Sequence, residues 1–90
     1  MDATARWRAQ DGAHHIHPFT DPRALARAGG SRMMVRGEGV WIEDSEGKRY
    51  LDAMAGLWCV ALGYGRRELA GAAARQMETL PYYNTFFGTA

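Results

Sequence analysis

Ninety residues suffice for one small domain. Eleven Lys and Arg against ten Asp and Glu leave a net charge of +1, which gives no electrostatic case for nucleic acid or an anionic membrane. The content of 47% hydrophobic and 23% charged residues is that of a globular chain, and the single Cys59 excludes an internal disulfide framework and fits a reducing cytosol. No stretch is apolar for the roughly 18 residues of a membrane span, and Met1-Asp2-Ala3-Thr4 does not open a secretory signal.

The first predicted element is a short helix over residues 3–13, built on Ala3, Ala5, Arg6, Arg8, Ala9 and Gln10, with Gly12 marking its end. His14 to Pro22 reads as irregular, because Pro18 and Pro22 interrupt any helix and bias their predecessors toward extended geometry. Asp21 before Pro22 is a helix-start signal, predicting a short helix to Ala28 that Gly29-Gly30 stops. The clearest β signal follows. Met33-Met34-Val35-Arg36 forms one strand and Gly37-Glu38-Gly39 a break. Val40-Trp41-Ile42-Glu43 and Lys48-Arg49-Tyr50-Leu51-Asp52 then pair as a hairpin across an Asp44-Ser45-Glu46-Gly47 type I turn. Ala53 to Gly65 lacks a helical period and is expected to be a loop holding a short strand at Val60-Ala61-Leu62. Arg67 to Leu80 is the clearest helix: Leu69, Ala73, Met77 and Leu80 share one face, Glu68 suits the helix dipole, and Pro81 ends it.

Few residues offer chemistry of their own. His14, His15 and His17 match no structural-zinc spacing, and neither a second Cys nor an acidic cluster supports a metal site. A surface loop with one His packed or hydrogen-bonded is the expectation. Gly37-x-Gly39 and Gly63-x-Gly65 do not continue as dinucleotide loops and read as turns. Cys59 is expected to be a small buried hydrophobe, since a reactive thiol needs an electropositive setting. Lys48, the only lysine, sits beside a hairpin turn. An amine that condenses with a carbonyl must be desolvated, so no catalytic residue is assigned to this chain. Tyr82, Tyr83, Phe86 and Phe87 put four aromatics in six residues. Each covers about 150–250 Å² when buried, more than a soluble monomer leaves bare at its end, so the chain is expected to be a piece cut from a longer one.

The assembled segments resemble class III aminotransferases, above all those of the ω-amino acid–pyruvate or amine–pyruvate type. The matching stretches are H-H-I-H-P-F-T-D at 14–21, R-G-E-G-V-W-I-E-D-S-E-G-K-R-Y-L-D at 36–52, D-A-M-A-G-L-W-C-V at 52–60, G-Y-G-R at 63–66 and L-P-Y-Y-N-T-F-F at 80–87. They stand in the family's order from about residue 7 onward. The A-G-L-W-C and Y-N-T-F-F pieces are the narrower signals.

The resemblance implies an α+β fold: the N-terminal part of the small domain of the type I pyridoxal-phosphate fold, with residues 1–32 as an arm and 33–90 as hairpin, helix and aromatic interface segment. It further implies a cytoplasmic homodimer that moves an amino group from an amine or ω-amino acid to a keto acid, with pyruvate as acceptor. Leu57 and Trp58 match substrate-pocket residues, Phe19 an arm residue at the pocket mouth, and Phe86 and Phe87 a segment at the dimer interface. The family's cofactor lysine, the acid that pairs with the pyridine nitrogen and the phosphate loop lie downstream, so the 90 residues are expected to be inactive alone and not to bind pyridoxal phosphate. A different reading, from the sticky aromatic end, is a remnant interaction module without catalysis.

Overall fold

The computed structural model describes residues 2–90. Helix α1 (Ala3–His14) starts where the Asp2 carboxylate accepts the Ala5 amide at 2.7 Å. It runs through Gly12 rather than ending there, because nothing at that position demands a left-handed residue. Helix α2 (Pro22–Arg27) begins as predicted, with Asp21 accepting the Arg23 and Ala24 amides and Pro22 in the first turn.

Strands β1 (Met34–Glu38), β2 (Trp41–Asp44) and β3 (Arg49–Leu51) form an antiparallel meander in the order β1-β2-β3. The predicted break at Gly37 is not one: β1 continues through Gly37 to Glu38, and a Cβ at Gly37 would fall 2.7 Å from Cγ of Tyr64. Glycine here makes room for a ring that crosses the strand. The turn proper is Gly39-Val40, with φ +58 at Gly39. Val35 is an extra residue in β1, since Met34 pairs with Asp44 and Arg36 with Glu43.

The β2–β3 turn forms where predicted, closed by the Gly47 amide on the Asp44 carbonyl at 3.0 Å. Asp44 holds it. Its carboxylate is buried and accepts the Lys48 amide at 2.9 Å, the Tyr50 hydroxyl at 2.7 Å and the Glu46 amide at 3.0 Å. The Lys48 and Tyr50 bonds, more than the burial that opposes them, hold this carboxyl below its ordinary value of 3.8. A lowered folded value means that the stabilisation is complete above the unfolded pKa and is lost as the pH falls through the folded one. Asp44→Ala is therefore expected to speed amide exchange at Glu46 and Lys48 near neutral pH. The native hairpin should lose that protection only below the ordinary carboxylate range. Hydrogen exchange across pH, corrected for intrinsic rates, measures both.

Corrections concentrate after β3. Val60–Leu62 is not a strand; the backbone bridge there is Gly39 with Tyr64, through bonds of 3.0 and 2.8 Å. Residues 55–58 form a single tight turn, α3 (Ala55–Trp58), inside the predicted loop. Cys59 is exposed rather than buried. Helix α4 (Arg67–Thr79) stops one residue before the predicted end, with Leu80 as its cap.

Among the described residues no apolar side chain is buried; the buried residues are Ser31 and Asp44. The α4 stripe of Leu69, Met77 and Leu80 faces solvent, as do Trp41, Leu51 and Met54. The radius of gyration is 17.5 Å, against about 12 Å for a compact chain of this length. The elements are mixed α and β and locally well hydrogen-bonded, but they are not packed around a core.

Candidate functional site

The α3 turn is the most unusual backbone in the molecule. Ala55, Gly56, Leu57 and Trp58 have φ of +49, +70, +103 and +66 in succession. Each non-glycine residue in that region costs about 1–3 kcal/mol, and such strain persists only where surroundings impose it. Here the surroundings are backbone bonds from residues 57–60 to the Met54 and Ala55 carbonyls, and two side chains. Asp52, just past β3, accepts the Gly56 amide at 2.9 Å and the Tyr64 hydroxyl at 2.5 Å on the same oxygen. The Tyr64 bond, followed by the amide bonds, keeps the Asp52 carboxyl below its ordinary range, while Asp52 pushes the Tyr64 phenol up. At neutral pH the pair is a carboxylate and a phenol, the forms that make this bond.

The turn presents what the sequence picked out. Leu57 and Trp58 are consecutive in it and both exposed, Trp58 to 93%. Phe19 lies in the turn between α1 and α2, also with a positive φ, and is fully exposed. Phe86 is 91% exposed, while Phe87 tilts against Tyr83 with ring centroids 5.3 Å apart. Among the described residues the close aromatic pairs are His15–His17 and Tyr83–Phe87, so no ring contact joins Phe19, Trp58 and Phe86. The three stand open to solvent.

Two features escaped sequence reasoning. Asp52 and Tyr64 are 12 residues apart, and only the Gly-rich spacing around them hinted at a close approach. The other is Asp11, whose carboxylate accepts the Ser31 hydroxyl at 2.6 Å and bonds His17 Nε2 at 2.7 Å, tying α1 to the segments on either side of α2. The Ser31 bond and then the His17 bond hold the Asp11 carboxyl low. His17 is thus the hydrogen-bonded member of the histidine cluster. Among the described residues no three His, Cys, Asp or Glu converge as metal ligands would, and no helix is long and apolar enough to cross a membrane.

The sequence profile of the class-III aminotransferases matches residues 25–89. A putrescine–pyruvate aminotransferase of Pseudomonas aeruginosa is 56% identical over 87 residues, which are 97% of this chain and 19% of that protein. An (S)-enantioselective omega-transaminase from Thermomicrobium roseum superposes with a TM-score of 0.88 at 55% identity, over 98% of this chain and 20% of that one. A thermostable omega-transaminase variant superposes with a TM-score of 0.84 at 37% identity, over 93% of this chain and 18% of that one; it carries glycine for a tryptophan and was engineered for synthesis of bulky amines. The chain thus spans about a fifth of the length of these relatives. Profile and relatives agree over most of its residues: the chain belongs to the class-III aminotransferase family.

Proposed function

We propose that this chain is the pocket-wall portion of an aminotransferase that moves an amino group from an amine or ω-amino acid to a keto acid, with pyruvate as acceptor. The observation that carries the proposal is the strained turn that bares Leu57 and Trp58. Strain imposed on two large apolar residues has no use in a loop that merely connects. It has one in a wall that sorts amines by side-chain shape. Residues 2–32 serve as the arm that brings Phe19 to the pocket mouth, and 33–90 as the opening of the small domain. Phe86 and Phe87 meet a second copy of the chain, so that each pocket is completed across a cytoplasmic homodimer. The engineered relative supports a sorting role for tryptophan in this branch, since removing one served the making of bulky amines.

The full protein in this proposal uses pyridoxal phosphate, which supplies the electron sink for breaking a bond at the amine-bearing carbon. The residues present do not fit that group. Its aldehyde needs a desolvated amine; Lys48 is exposed beside the β2–β3 turn, with Nζ 5.1 Å from the centroid of Tyr50. The chain's own work is therefore to exclude water, to admit or reject the amine's side chain, and to face the partner subunit.

The test is a chimera in which residues 2–90 replace the matching segment of the Thermomicrobium roseum transaminase. Trp58→Ala in it is expected to raise kcat/KM for a bulky amine, relative to butylamine, by about ten- to a hundredfold. An unchanged ratio would remove Trp58 from the wall.

A further inference from the structure

Backbone bonds give the α3 turn part of its shape: the Leu57 and Trp58 amides donate to the Met54 carbonyl at 3.0 and 2.8 Å, and the Cys59 and Val60 amides to the Ala55 carbonyl at 2.9 Å each. An open groove of about 260 Å³, lined by Gly39, Val40, Asp52, Ala55, Val60 and Tyr64 among others, runs beside it, so packing does not fix its shape. Trp58 is 93% exposed, so little covers its ring. A chain of bonds that starts in the sheet ties the turn to it. Tyr64 pairs with the Gly39 backbone at 2.8 and 3.0 Å, and its ring lies across Gly37, in space that a Cβ would fill. Its hydroxyl donates to Asp52 at 2.5 Å. Asp52 is anchored in turn by its own amide, which donates to the Val40 carbonyl at 2.8 Å. The same carboxylate oxygen then takes the Gly56 amide at 2.9 Å. Only glycine fits at this donor, because a Cβ there would meet Val60 Cγ2 at 2.7 Å.

We infer that Tyr64 and Asp52 are positioning residues that set which amines the pocket admits, by fixing the direction of the Trp58 ring through the amide of Gly56. The inference rests on the reading of Leu57 and Trp58 as pocket wall. Neither residue touches substrate. Losing the Tyr64 hydroxyl leaves Asp52 free to rotate away from Gly56, and Leu57 and Trp58 can then relax toward negative φ. The ring swings, and the limit that it places on bulk goes with it.

The experiment uses the same chimera, with pyruvate as acceptor and butylamine and 1-(1-naphthyl)ethylamine as donors. Tyr64→Phe is expected to raise the ratio of kcat/KM for the naphthyl amine over butylamine by about tenfold, mostly through KM. Asp52→Asn keeps one acceptor oxygen and should move the ratio the same way by less; it carries the test if Tyr64→Phe does not fold. In a Trp58→Ala background Tyr64→Phe should add nothing, because the ring whose direction it sets is gone. A merely structural role would lower kcat/KM equally for both donors and leave the ratio within about twofold, and that result overturns the inference. If Trp58→Ala raises the ratio while Tyr64→Phe and Asp52→Asn do not, the inference alone fails. If Trp58→Ala also leaves it unchanged, the pocket-wall reading fails and the inference falls with it.

Discussion

Heated alone, residues 1–90 should give a broad, sloping change in ellipticity with no cooperative transition, and the chain should bind a hydrophobic dye and self-associate. The reason is burial. Cooperative melting reports a core whose loss releases every element together. Here the elements are held by local bonds: the Asp2 and Asp21 caps, the Asp44 turn and the Asp11–Ser31 tie. Such local bonds exchange protein partners for water and add little net stability, and a short meander without a covered face is marginal in water. The apolar side chains that would supply cooperativity, Leu69, Met77 and Leu80 on α4 and Trp41 and Leu51 on the sheet, are all exposed. Covering a Leu or Met in full is worth about 1.5–3 kcal/mol, so these residues alone hold much of what a domain of this size needs. In the chimera with the Thermomicrobium roseum enzyme the same segment should melt together with the whole. A sharp melt of a monodisperse monomer for the isolated chain would contradict this.

The parts legible in the sequence were those decided within a few residues. Asp21-Pro22 places its helix start because cap and proline act on the next two amides. Asp44 to Gly47 places its turn for the same reason. The period of Leu69, Ala73, Met77 and Leu80 identifies the helix and its apolar side, yet periodicity cannot say what that side meets, and here it meets solvent. The fate of β1 at Gly37 depends on Tyr64, far along the chain, and local propensity therefore misread a crossing as a break. The same distance hid the α3 turn: nothing in Ala-Gly-Leu-Trp asks for four left-handed residues, and the Asp52–Tyr64 bond that helps to hold them joins residues 12 apart. Cys59 was expected inside because small apolar residues in this setting usually are; it is outside because there is no inside here. The residues proposed for the pocket came from resemblance and not from physics. What the structure adds is the backbone that presents two of them.

The isolated chain should transfer no amino groups, and the chimera should. Within this account the 90 residues bring walls and an interface but no group able to hold the cofactor's aldehyde or phosphate. Lys48 is the only amine side chain, and it stands exposed beside the turn, whereas an amine that condenses with a carbonyl must be desolvated. Losing the cofactor removes the route to the product altogether, so the expected difference is turnover against background rather than a graded loss. The direct measurement is alanine formed from pyruvate and an amine donor with added pyridoxal phosphate, run in parallel for residues 1–90 and for the chimera. Alanine from the chimera and only background from the isolated chain is the predicted result; multiple turnovers by the isolated chain, or an inactive chimera that folds and retains cofactor, would contradict it.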